Sequence, residues 1–342
     1  MLRAALRDLQ WRRKRFVIAM LGVALVFAMG LIMTGLTESF SLEVNRTLHA
    51  IDAEAWLVAD GASGPLTSFS PVPVGMVTDS AASPALVIRQ SITADSKIVD
   101  VVIIGAEIGR PGSVKAAKGH DVAGPGEAVV DSDFSLARLG ESFSVGPQTF
   151  TVVGTVSGQR LYAGVPMMYI TLRDAQTMSL QGQPYATTFI YDQAPTDVPA
   201  GLKVMSTSEV RKDVLRPLDD AVASIALVRM LLWIVAATII GSVLYLQAME
   251  RTRDFAVFKA TGTSTAAIGV GLALQAVALS LAAAALAAVL AAAMAPAFPI
   301  HVEIPSSAYQ LLPVVTVVVG LLANLIALRK TATVQPAAAF GG

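Results

Sequence analysis

Four apolar stretches, each long enough to cross a membrane, constrain the fold of this 342-residue chain more than any other feature. They cover residues 16–37, 226–249, 265–295 and 311–328. A helix of about 20 apolar residues spans a hydrocarbon core of about 30 Å and satisfies its own backbone hydrogen bonds there. The chain is therefore predicted to be an α-helical membrane protein with four transmembrane helices.

Lysine and arginine cluster at three places beside these stretches, and four spans put all three places on one side of the membrane. The clusters lie in residues 12–15, in the connecting segment 250–264 and at the start of the tail 329–342. Cationic residues accumulate on the cytoplasmic side of membrane spans. We therefore expect both termini and the connector to be cytoplasmic, and residues 38–225 and 296–310 to face outside.

Residues 1–15 combine basic side chains with Leu2, Leu6 and Leu9 at nearly helical spacing. This pattern favours an amphipathic helix on the inner membrane surface, and a simple basic anchor for the first span remains the alternative. The first apolar stretch is longer than the core of a typical signal peptide, which predicts a retained span.

Residues 38–225 hold 13 Lys/Arg against 21 Asp/Glu, a net charge of −8 in a chain whose formal charge is zero. This partition fits an exported soluble domain and does not support nucleic-acid binding. Helical periodicity at both ends of the segment, with Ser206 and Glu209 as a capping box before the second, predicts two stalk helices. Pro217 is expected to interrupt the second of them.

Between the stalks, short β-branched runs and period-two patterns predict a mixed α+β domain inserted between the first and second spans. Short helices are expected at 134–139 and 173–180, and a division into two subdomains is expected within 90–110. The predicted strands are 55–59, 85–90, 99–104, 128–131, 150–154, 168–172, 188–191 and 204–206.

Catalytic and metal-binding motifs are missing from the sequence. The chain has no cysteine, its three histidines are isolated, and no phosphate-binding loop of the type GxxxxGK(S/T) occurs. Asp131 and Asp133, two residues apart, fit a cation site at a strand end, but a helix N-cap at Ser132 or Asp133 is favoured. We expect a non-enzymatic chain that binds no cofactor or metal, so that any ATP would be bound by a partner.

Polar groups are sparse within the predicted spans. Gln275 and Asn324 are the notable ones, and each is expected to bond a neighbouring helix, with a substrate contact as the alternative. The third span contains the run LAAAALAAVLAAAMA. Small side chains let membrane helices approach closely, so this run favours helix packing over a role in lining a pore.

The connector 250–264 carries both charged and large apolar side chains. A helix is predicted from Glu250 to Ala260, ended by Gly262, with Thr263 or Ser264 capping the next helix. Phe255 and Phe258 would then share one face. An apolar ridge bordered by charge is typical of a docking surface, although both rings could instead dip into the membrane interface.

This connector resembles the cytoplasmic loop of FtsX/MacB-type ABC transporter permeases. The likeness extends to the turn and strand at 140–156, to the tail through Arg329 and Pro336, and to the order of spans, and DevC-like permeases share it. The matching connector residues are Glu250, Arg251, Arg253, Asp254, Phe255, Ala256, Val257, Phe258, Lys259, Ala260 and Gly262.

The resemblance implies a mechanotransmission (type VII) permease in the bacterial plasma membrane, in contact with membrane lipid. Two copies of a separate ABC ATPase would bind ATP and Mg, and a second permease chain would complete a homo- or heterodimer. The connector would be the coupling helix that docks on the ATPase, through Glu250, Arg251, Arg253, Asp254, Phe255, Val257, Phe258, Lys259 and Gly262.

Three functions remain open at this point. The first is export or extraction of a hydrophobic or envelope substrate, driven by the partner ATPase. The second is regulation, in which the outer domain activates a cell-wall enzyme or senses a ligand. Uptake of an amino acid such as glutamine is disfavoured, because few polar groups are available to line a hydrophilic path.

Overall fold

The computed structural model describes residues 13–94, 97–250, 257, 261–262, 264–298 and 302–332. The described residues fall into two units. A membrane unit lies within residues 1–39 and 221–342, and an insert domain covers residues 40–220.

Helices dominate the membrane unit, and four of them are long and apolar enough to cross a membrane. In each of these four helices, an 18-residue window has a mean hydropathy of 1.8 or more. The α-helices among the described residues are α1 (Arg13–Ile51), α2 (Leu172–Leu180), α3 (Thr207–Leu215), α4 (Asp219–Glu250), α5 (Thr265–Met294) and α6 (Ser306–Ala332).

Alanine and glycine let α5 and α6 pack closely. Ala276, Ala283 and Ala287 of α5 are fully buried. Gly320 of α6 lies so close to Ser280 that an added Cβ would collide with the serine Oγ. The prediction that the alanine-rich run packs against a neighbouring helix is confirmed, because its buried alanines belong to the core of the unit.

The segment 302–304, just before α6, lies against α1. A Cβ at Gly35 would come within 2.7 Å of the Ile304 side chain and 2.8 Å of Val302. The Glu303 backbone N–H donates to Ser39 Oγ at 2.8 Å. Gly35 therefore provides room for this connection, which a larger side chain would obstruct.

The insert domain is built on one eleven-stranded sheet with the order β13-β1-β12-β3-β4-β10-β6-β8-β5, with β7 on β8 and β9 on β10. A small second sheet pairs β2 with β11. The strands are β1 (Ala55–Ala59), β2 (Val72–Pro73), β3 (Ser83–Ala94), β4 (Lys97–Ala106), β5 (Lys118–Gly119), β6 (Glu127–Asp131), β7 (Ser142–Val145), β8 (Gln148–Val156), β9 (Arg160–Leu161), β10 (Val165–Thr171), β11 (Tyr185–Ala186), β12 (Thr188–Tyr191) and β13 (Leu202–Ser206).

Two apolar clusters form the main core of the domain. One combines the end of α1, through Val44, Leu48 and Ile51, with Trp56 of β1 and other sheet residues. The other gathers residues of β4, β6, β8 and β10 around α2. The helical periodicity predicted after the first span therefore marks a buried face.

All eight predicted strands occur, but two expectations for the domain are wrong. Residues 134–139 form turns and bends rather than a helix, and the Phe134 ring packs on Phe143 with centroids 5.0 Å apart. The range 90–110 is not a boundary between subdomains either, because β3 and β4 pair there along ten residues of one sheet. The predicted helix at 173–180 is confirmed as α2.

The predicted interruption at Pro217 is also confirmed. The α3 helix begins with a capping box, in which the Ser206 side chain accepts from the Glu209 N–H and the Glu209 carboxylate accepts from the Ser206 N–H. A 3₁₀ turn, Arg216–Leu218, follows α3 and contains the proline before α4 begins.

Candidate functional site: the connector between two membrane helices

The connector joins α4, which ends at Glu250, to α5. Val257 is helical and 49% exposed, and the Thr261 N–H donates to the Val257 carbonyl at 3.0 Å. Gly262 has a φ of +91°, the left-handed conformation that ends a helix at glycine. The other predicted docking residues lie outside the described part of the chain: Arg251, Arg253, Asp254, Phe255, Phe258 and Lys259.

Ser264 caps the helix that follows. Its side chain accepts a hydrogen bond from the Ala267 N–H at 3.2 Å, so that of the two candidate caps the serine is confirmed. The helix end at Gly262 and the capped start at Ser264 are therefore only two positions apart in the chain. This local conformation agrees with the predicted helix in the connector, while its docking role stays a prediction.

Gln275 and Asn324 are both buried in the membrane unit, at 8% and 1% exposure. The Asn324 Oδ1 has no hydrogen-bond partner among the described residues, and neither has the Ser280 Oγ. Within the described chain, the Asn324 side-chain oxygen therefore does not accept the expected hydrogen bond from a neighbouring helix. Both residues lie within the helix packing, and a substrate contact stays untested.

Arg229 of α4 lies in an apolar part of that helix and contacts another helix of the membrane unit. Its guanidinium donates to Thr34 Oγ1 of α1 at 3.2 Å and lies 5.7 Å from the centre of the Trp233 ring. Since both partners belong to the membrane unit, this arginine ties α1 to α4.

The two aspartates singled out in the sequence form an ion-pair cluster in the insert domain. The fully buried Asp131 carboxylate accepts from the Gln159 N–H at 2.8 Å and from Arg160 Nε at 3.1 Å. Arg160 also contacts Asp133 at 2.5 Å. The predicted helix cap is therefore wrong, and no group of three or more possible metal ligands occurs in the described residues.

Tyr169 of β10 lies close enough to this cluster for the charge of Asp131 to act on its hydroxyl. Burial raises the pKa of its hydroxyl, and the Asp131 carboxylate raises that pKa further. The hydroxyl has no hydrogen-bond partner within the described chain. The Tyr169 hydroxyl therefore stays protonated at neutral pH.

The chain is similar to ABC transporter permeases along its whole length. The family model described as FtsX-like permease C-terminal matches residues 226–336, which contain α5, α6, most of α4 and the connector. An uncharacterized ABC transporter permease of Mycobacterium tuberculosis, Rv2563, is 40% identical over 350 residues and is covered completely by this chain, as this chain is by it. A second permease of that organism, Rv0072, is 38% identical over 349 residues with the same full coverage.

The chain belongs to the FtsX/MacB-like family of ABC transporter permeases and is a multi-pass membrane permease subunit. Among solved structures, the extracellular domain of the noncanonic ABC-type transporter YknZ aligns to 44% of this chain and 100% of its own, with 12% identity and a TM-score of 0.32.

Proposed function

We propose that this permease subunit transmits ATP-driven motion from a separate ABC ATPase to the insert domain, and that the motion exports or extracts a hydrophobic or envelope substrate. The insert domain lies outside the bacterial plasma membrane, and both termini and the connector lie in the cytoplasm. Two ATPase copies bind ATP and Mg, and a second permease chain completes the assembly.

The observation that carries this proposal is the connector, a short helix-ending segment with exposed Val257 between two apolar helices. Full-length similarity to ABC transporter permeases supports a partner ATPase. Phe255 and Phe258, flanked by Arg253 and Lys259 in the sequence, supply the apolar ridge and the surrounding charge that a protein groove accepts.

A mechanical role also agrees with the polar groups of the membrane helices. Gln275, Ser280, Thr316 and Asn324 are all buried at 8% exposure or less. These groups are buried in the membrane unit, whereas a hydrophilic conduit would expose polar side chains along a path. Uptake of an amino acid is therefore disfavoured as a function for the described helices.

The first experiment is purification of the chain from native membranes in mild detergent, followed by identification of its partners. We expect a stoichiometric ATPase with a phosphate-binding loop and vanadate-sensitive ATP hydrolysis. Phe255→Asp and Phe258→Asp are each expected to weaken ATPase binding about 30-fold, the effect of losing a buried aromatic anchor. Arg253→Glu combined with Lys259→Glu should weaken ATPase binding further, by an amount that depends on ionic strength.

Ala297→Asp is the matched control, because it introduces the same charge in the other inter-helix connection of the described membrane unit. This variant should retain the ATPase fully. Retention of the complex by Phe258→Asp would show that the connector does not dock it. Recovery of the chain with a cell-wall enzyme and without any ATPase would favour the regulatory function.

A further inference from the structure

One edge of the insert-domain sheet is open. The sheet ends at β13, whose strand partner among the described residues is β1. At the far end of the same sheet β5 has two residues, whereas β13 has five. A free strand edge presents backbone N–H and C=O groups that another extended chain can bind.

A cleft of about 460 Å³, open to solvent, lies at this edge. It is lined by three consecutive residues of β13, namely Lys203, Val204 and Met205, and by one face of α3. Successive side chains of a strand point to opposite sides of the sheet. A cleft that touches three in a row therefore runs along the strand edge rather than over one face.

The register of β13 on β1 identifies the free backbone groups. The Asp60 N–H donates to the Gly201 carbonyl at 2.9 Å, so the groups of Gly201 point towards β1. Hydrogen-bonding groups alternate along an antiparallel strand. Lys203 and Met205 consequently bond to β1, and Val204 turns its N–H and C=O away from it.

Neighbouring N–H groups on the same side of β13 are already used. The Leu202 N–H donates to the Pro199 carbonyl at 3.1 Å, and the Ser206 N–H donates to Glu209 at 2.8 Å. Val204 therefore presents the free N–H of this strand edge, and its side chain is 37% exposed.

The helix that forms the other wall of the cleft is held in place. The buried Asp213 carboxylate is bonded to the Thr67 hydroxyl and paired with Arg216. The ion pair sets the positive charge of Arg216 against the negative charge of Asp213. The wall is therefore preorganised before any ligand arrives.

Lys203 and Lys212 also line the cleft. Both lie near enough to lower the pKa of Glu209, yet among the described residues neither forms an ion pair within 4 Å. Two lysines against one carboxylate leave a local positive charge. The segment 38–225 as a whole carries −8, so that an acidic ligand is attracted here and repelled elsewhere.

We propose that the β13 edge binds an extended, acidic segment of a partner protein, which pairs with the Val204 backbone and places a carboxylate between Lys203 and Lys212. A cleft this open cannot enclose a small molecule, whereas a strand lying along it uses both the backbone and the charges. A second copy of β13 would bring lysines against lysines. This site is independent of ATPase docking at the connector.

The test uses the full chain in phosphatidylcholine nanodiscs and a fluorescein-labelled nine-residue peptide of alternating Thr or Val and Glu. Fluorescence anisotropy should show saturable binding, weakened by raising the salt concentration. The same peptide with Lys in place of Glu should bind at least about tenfold more weakly. N-methylation of the central residue of the acidic peptide should also weaken binding about tenfold, because it removes a backbone hydrogen bond.

One variant of the protein tests the strand edge of the site, and a second variant tests its two lysines. Val204→Pro removes the N–H that faces away from β1, a position where a strand edge tolerates proline, and should weaken the acidic peptide about tenfold. Lys203→Glu combined with Lys212→Glu should abolish the preference for acidic over basic peptide. Lys115→Glu, an exposed lysine outside the cleft, is the control and should leave affinity within about twofold.

Equal affinity for acidic and basic peptides overturns the proposal, and so does a lack of saturation up to about 1 mM. The proposal is also overturned if Val204→Pro has a normal melting temperature and binds the acidic peptide as tightly as the natural chain. If that variant melts early, the N-methylated peptide decides, because it leaves the protein unaltered. Concentration-dependent dimers that Val204→Pro dissociates would overturn the proposal in favour of pairing between copies of this chain.

Discussion

The membrane unit and the insert domain build their cores from different side chains. Ten of the 19 buried residues in the membrane cluster are alanine, against three of 22 in the largest cluster of the insert domain. The insert cluster instead buries Trp56, Tyr169 and many branched aliphatic residues. The core of the membrane unit is therefore built mainly from small side chains, and the core of the insert domain mainly from large ones.

The solvent explains this difference. Removing apolar area from water is favourable at about 25 cal/mol per Å², so a domain in water gains most from large side chains. Lipid tails are as apolar as the side chains themselves, and helices in lipid associate through close packing and hydrogen bonds. Gly320 against Ser280 is the contact by which this principle is most easily tested.

The two units also treat buried polar groups differently. The Asp131 carboxylate of the insert domain accepts from Asp133, Gln159 and Arg160. The Asn324 Oδ1 of the membrane unit has no partner in the described chain. Breaking the ion-pair cluster should therefore cost more than any single change in the helix packing.

The largest expected effect is that of Asp131→Asn. Loss of the buried carboxylate leaves Arg160 with its exposed partner Asp133 and should lower the free energy of unfolding of the insert domain by about 3 kcal/mol. Chemical unfolding of the full chain, followed by the circular dichroism of the sheet, measures this. Asp192→Asn, at an exposed aspartate, should change it by less than about 0.5 kcal/mol. Equal effects of the two variants would contradict a structural role for Asp131.

Gly320→Ala should have an intermediate effect. The new Cβ collides with Ser280 Oγ and should destabilise the membrane unit by about 1–3 kcal/mol, the usual cost of overpacking. In a Ser280→Ala background the remaining Cβ lies 3.4 Å away, so that the same substitution should cost little. Detergent-induced unfolding of the four variants gives the coupling energy between the two positions. A coupling near zero would show that α5 and α6 adjust without strain.

Removing the cap of α3 should have the smallest effect on stability, and that effect should depend on pH. Hydrogen bonds from Ser206 hold the pKa of Glu209 below its ordinary value of 4.5. The resulting stabilisation is present above pH 4.5 and is lost as the pH falls through the lowered pKa. The stability difference between the natural chain and Glu209→Gln should therefore be present at pH 7 and vanish in stronger acid. Ser206→Ala removes the cap itself and should cost about 1 kcal/mol at pH 7.

Local patterns in the sequence predicted most of the secondary structure. Two strands, Ala55–Ala59 and Thr188–Tyr191, have the predicted bounds, because each is a short run of residues that favour strands. Strands of two residues, such as β5, carry no periodic pattern and were missed. The predicted helix at 134–139 failed because Phe134 packs against Phe143 in a turn. Long-range packing overrides local propensity at such positions.

Sequence alone determined that the chain has four spans, an inserted α+β domain and a connector with a family pattern, because hydrophobic length and short motifs are local properties. Tertiary structure decided that Asp131 pairs with Arg160 and that Gly320 approaches Ser280. It also placed β13 at the sheet edge with the Val204 backbone free. These features depend on contacts between residues far apart in the chain, which only the folded arrangement brings together.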